Sequence, residues 1–170
     1  MKNYTKAVLY AYPLLKNIGE EYAIHIQNCA VLSYRNQRSA EDTATYIAGE
    51  ILRKRNLEWL KNCVERTLDK LLPIERTLVQ IRYFGKERKI KKATSACERS
   101  ASYGRWSDSK YFRRLRRISE KVGLMLEREG LSEEIFLRDF VHDELFEKIY
   151  QFVCSGRDKG LSKSERRWLG

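Results

Sequence analysis

The chain has 170 residues, with 34 Lys and Arg against 23 Asp and Glu, for a formal net charge of +11. Two prolines and nine glycines leave little turn chemistry for an all-β fold, while 42% hydrophobic residues can supply the core of one domain or two small ones. No run approaches the roughly 18 apolar residues of a membrane span, so no membrane partner is expected, and the positive excess points to a polyanion.

From the N-terminus, Lys2 and Lys6 precede the apolar stretch AVLYAYPLL, which has the length of a secretory core. Two tyrosines, a proline and the lack of a small-x-small cleavage site argue against that reading. Residues 4–34 instead predict a helix, interrupted near Pro13 or Gly19. Ser39 and Asp42 form a weak capping box that opens a long helical segment ending near Leu72. Within it Tyr46, Ile47, Ile51, Leu52, Trp59, Leu60, Val64 and Leu68 keep a helical spacing. Pro73 marks a break and suits the first position of a helix over 73–84. Ile74, Leu78, Ile81 and Phe84 fall on one side of it, and Gly85 ends it.

Next, Ile90, Ala93, Cys97 and Ala101 recur at helical spacing, and Tyr103 and Gly104 read as a turn. The segment WSDSKYFRRLRRI (106–118) then places Ser107 as an N-cap, with Trp106 and Tyr111 at the spacing of a hydrophobic staple. Tyr111, Leu115, Ile118 and Val122 make one apolar stripe. Lys110, Arg113, Arg114, Arg116 and Arg117 occupy the remaining surface, and no acid lies between Lys110 and Arg117. A solvated helix surface normally mixes signs, because oppositely charged neighbours one turn apart relieve repulsion. Ser132 caps a last helix with Ile135, Phe136, Phe140, Leu145, Phe146, Ile149, Tyr150 and Val153 on a broad apolar face. Six acids between 133 and 147 oppose it. The polar tail 157–170 reads as mobile.

The charge is concentrated rather than spread. Residues 76–117 carry 14 basic and 3 acidic side chains, a balance of +11, whereas 1–75 stand at +2 and 118–170 at −2. Within that quarter, KERKIKK (86–92) adds a second basic run, expected to grip a phosphate backbone without reading sequence. The four cysteines, Cys29, Cys63, Cys97 and Cys154, form no C-x-x-C pair and suit a reducing cytoplasm. With only His25 and His142 in the chain, no metal or other cofactor is expected. No phosphate loop, histidine pair or serine-centred elbow suggests an enzyme.

Helix, short helix, glycine turn and basic helix are the plan of a helix-turn-helix, whose second helix enters the DNA major groove. LPIERTLVQIRYF (72–84) also resembles the first part of region 4 of bacterial RNA polymerase sigma factors, through its leucine-proline pair, its acidic-basic pair and its closing arginine-tyrosine-phenylalanine. WSDSKYFRRLRRI resembles the recognition helix of that region through Trp106, Ser107, Tyr111, Leu115 and the surrounding arginines. From the first segment to the end of the second, the resemblance spans about 50 residues. Between them KERKIKKATSACERSASYGR is longer and more basic than the family pattern, and residues 1–68 match no other sigma region. The resemblance therefore implies a sigma-like regulator, of the kind found in phages and mobile elements, rather than a complete sigma factor.

The expected fold is an all-α helical bundle carrying a region 4-like helix-turn-helix. An N-terminal helical domain spans 1–68, the DNA-binding module 69–130, and the acidic amphipathic helix 131–156. The recognition helix runs from about Ser107 to Leu126. Double-stranded DNA is the expected partner, through Lys86, Lys89, Lys91, Lys92, Arg105, Ser107, Ser109, Lys110, Arg113, Arg114 and Arg117. RNA polymerase is a second partner implied by the resemblance. The acidic helix packs either within the chain or against a second copy in a homodimer. RNA binding, or nucleic-acid binding without sequence choice, is the alternative, with Tyr103, Trp106 and Phe112 as candidate stacking aromatics.

Overall fold

A computed structural model describes residues 2–32, 39–84 and 107–156. Every regular element among them is helical. In chain order these are α1 (Asn3–Leu32), α2 (Ala40–Asp69), α3 (Pro73–Val79) with a π-helical continuation (Gln80–Phe84), α4 (Asp108–Arg128), α5 (Glu133–Asp139) and α6 (Glu144–Cys154). No described helix is long and apolar enough to cross a membrane. The chain divides into two compact units, Met1–Pro13 with Cys63–Gly170, and Leu14–Asn62, so that the division falls within α1 and α2.

In the larger unit the start of α1 is the core. Tyr4, Thr5, Ala7, Val8, Leu9, Tyr10 and Ala11 are all buried. A helix covered on every side shows no amphipathic period, because no face is left for water to select. This is the stretch that has the length of a secretory core in the sequence. The Tyr4 ring packs 6.1 Å from Phe136, and its hydroxyl donates to the Leu131 carbonyl at 3.3 Å. Tyr10 meets Tyr83 edge-on at 4.9 Å and Phe152 at 6.4 Å.

The interruption expected near Pro13 or Gly19 does not occur, since α1 is continuous through both. Proline forfeits one backbone bond to the preceding turn, and Pro13 lies on the exposed side. The cap of α2 agrees with the sequence. The Asp42 amide donates to Ser39 Oγ at 3.0 Å, and that hydroxyl donates back to Asp42 Oδ2 at 2.7 Å.

The smaller unit is a pair of helical segments whose apolar positions are incompletely covered. Leu15, Leu57 and Leu60 are buried, whereas Tyr46, Ile51 and Leu52 are exposed. Two helices can shield only the faces they turn to each other.

Toward the C-terminus the single helix expected after Ser132 is two. Ser132 does cap α5, its hydroxyl accepting from the Ile135 amide at 3.2 Å. The helix then stops at Phe140, and Asp143 caps α6 by accepting from the Leu145 amide at 3.0 Å. A carboxylate at an N-cap competes with helix continuation. The resulting bend lets Phe136, Phe140 and Phe146 cluster with ring centroids 5.6–6.2 Å apart. This aromatic face is buried within the chain, together with Ile149 and Val153.

Candidate nucleic-acid interface

The geometry of α4 starts at Ser107, which has extended backbone and accepts from the Lys110 amide through Oγ at 3.3 Å. The Tyr111 amide closes the first turn on the Ser107 carbonyl at 3.0 Å. From there the apolar stripe is as the spacing predicts. Tyr111, Leu115, Ile118 and Val122 are all buried, and Leu126 extends the stripe by one more turn. Two contacts brace α4 against the preceding element. The Tyr83 hydroxyl lies 3.3 Å from Oγ of buried Ser119, and Lys121 Nζ pairs with Glu75 Oε2 at 2.7 Å.

With the core face fixed in this way, the basic residues sort into two groups. At about 100° per residue, Lys110, Arg113, Arg114, Arg117 and Lys121 share one flank. They line an open cleft of about 330 Å³ whose remaining walls are Ile118 and Glu75. Arg116 lies on the other flank, where its Nε donates to Glu120 at 3.1 Å. Phe112 is on that side too, 47% exposed, with its ring edge-on to Tyr111 at 5.3 Å. Arg113 and Arg117 have no hydrogen-bond or ion-pair partner among the described residues.

Of the residues expected to touch nucleic acid, the structure brings Lys110, Arg113, Arg114 and Arg117 together on this cleft. Ser107 is occupied as the cap. Ser109 is exposed and does not line the cleft. Lys86, Lys89, Lys91, Lys92 and Arg105 lie outside the described residues, as do the expected helix over 90–101, the turn at Tyr103 and Gly104, Trp106 with its staple, and the tail 157–170.

Two cleft residues are additions. Lys121 follows Arg117 by one turn, and a helical projection carried past residue 117 finds it. Glu75 has no local signal, because it arrives from a different helix 46 positions away.

The described residues hold no group of three or more His, Cys, Asp or Glu able to bind a metal ion. The lining of the cleft supplies guanidinium and ammonium donors, groups that bind phosphate oxygens and the acceptor edge of guanine. Comparison of the chain with protein-family models, with curated proteins and with solved structures found no match.

Proposed function

We propose that this protein is a DNA-binding transcriptional regulator that presents α4 to the major groove of a duplex. The observation that carries the reading is the one-signed flank of α4. Lys110, Arg113, Arg114 and Arg117 project from three successive turns of a capped helix whose opposite stripe is anchored in the core. Cationic donors held on a rigid helix suit phosphate and base-edge contacts at once, with the earlier residues nearer the bases. The resemblance of 72–84 and 106–118 to sigma region 4 supports the same reading and adds RNA polymerase as a second partner.

Binding of single strands or RNA is the second reading, and Phe112 is the observation that bears on it. A stacking platform has to lie along the track that holds the phosphates. Phe112 is two residues beyond Lys110 and so roughly 200° around the helix from it. The exposed aromatic of α4 and its cationic flank thus face different ways, which favours a duplex.

Selection of bound duplexes from a random library tests the proposal, and a consensus is the expected result. Alanine at Lys110, Arg113, Arg114 and Arg117 together should abolish selection. Taken singly, a residue bidentate to guanine costs about 1–3 kcal/mol and relaxes one operator position. A phosphate contact weakens all sequences alike and flattens the salt slope by about one unit. Unchanged duplex affinity in a folded quadruple variant refutes the reading.

A further inference from the structure

The acid in the cationic cleft has a role of its own. Glu75 is largely covered, its side chain 15% exposed, and one carboxylate oxygen accepts two bonds. The Leu72 amide donates to Oε2 at 3.1 Å, tying the carboxylate to the start of α3. Lys121 Nζ donates to the same oxygen at 2.7 Å, while its own side chain stays 42% exposed at the cleft. The carboxylate is thus held on one side by backbone and on the other by the last cation of the flank.

Resting on the duplex-binding reading above, we infer that Glu75 is a positioning residue that ends the polyanion track of α4 at Arg117. It does so by neutralising Lys121, one turn or roughly 6 Å further along the helix axis, so that the ion pair offers no net positive charge to the next phosphate. This sets the register at which a DNA backbone leaves the helix. A uniform cationic ridge lets a rod of phosphates slide, whereas a ridge closed by an acid gives it an end.

The test is the salt dependence of duplex binding in four forms of the full chain. These are the wild type, Glu75→Gln, Lys121→Gln and the double variant. Glutamine retains a carbonyl for the Leu72 amide and so preserves the turn that begins α3. Equal melting temperatures of the four proteins establish that it does.

Each phosphate contact contributes about 0.9 to the slope of log K against log salt. Glu75→Gln should release Lys121 onto the duplex, steepening the slope by about that amount and tightening non-specific binding by roughly 2- to 5-fold, the worth of one exposed ion pair. Lys121→Gln alone should leave the slope unchanged, because that lysine is already neutralised. The double variant should return to the wild-type slope.

A slope flattened by Lys121→Gln alone would show the lysine already on a phosphate and overturn the inference. So would an unchanged slope in Glu75→Gln. A wild type without salt-dependent duplex binding instead removes the duplex reading itself, and the role of Glu75 with it.

Discussion

Leu115 fixes the rotation of α4, since its burial turns the arginines outward. It is 7% exposed, on the stripe that the i, i+4, i+7 spacing predicts. Leu115→Ala should destabilise the protein by about 2–5 kcal/mol, read by urea unfolding. Gly19 and Gly49 pose the opposite problem. Both lie inside long helices, and a Cβ added at either meets nothing within 4 Å. Alanine at each should stabilise by roughly 0.5–1 kcal/mol, because glycine loses more backbone freedom in a helix. A drop in melting temperature on either substitution would show that the gap is needed.

Glu129 gives a pH dependence. Lys70 and Arg66 both donate to its carboxylate, Arg66 Nε at 2.7 Å, and these bonds hold its pKa below the ordinary 4.5. A carboxyl depressed in the folded state contributes stability that is complete above its unfolded pKa and is lost as pH falls through the folded one. Stability should therefore decline below about pH 4.5, and Glu129→Gln should lessen that decline without changing its direction. Acid titration of the two proteins by circular dichroism measures the difference.

Among the elements, legibility in the sequence follows how each is buried. The start of α4 is readable because a narrow stripe against a charged surface leaves a strong period. The first turns of α1 lack a period, since Thr5 to Ala11 are covered nearly all round. The break at Phe140 is hidden for another reason. Phenylalanines lie on both sides of it, and Asp143 looks like one more surface acid until the backbone places it at a cap. The cationic cleft is half legible. Its arginines stand in one run, but the acid that closes it belongs to α3, and no periodicity reaches across 46 residues.

The pair α5 and α6 carries a prediction of its own. Its aromatic face is directed into the chain, with Phe136 on Tyr4 and Phe152 on Tyr10. Packing within the chain thus accounts for the surface that a homodimer through this face would require. Removing residues 132–170 should yield a protein without cooperative unfolding by calorimetry. A folded monomer obtained from a full-length dimer on sedimentation would restore the interface.

At the scale of the whole molecule, the ends of the described chain are bound to each other. The Tyr4 hydroxyl reaches a carbonyl 127 residues later, and Asn3 Nδ2 lies 3.5 Å from Cys154 Sγ. This has a consequence in time. At about 5–20 residues per second, a ribosome needs roughly 6–25 s to make the residues between Tyr4 and its acceptor. Throughout that interval the segment Thr5 to Ala11 has emerged, or is emerging, without the aromatic cluster that will cover it. The pairing of α1 and α2, by contrast, needs only the first 70 residues. Each new copy therefore passes through a stage in which the start of α1, buried in the folded protein, is a sticky nascent end, open to a chaperone or to a neighbouring chain on the same message.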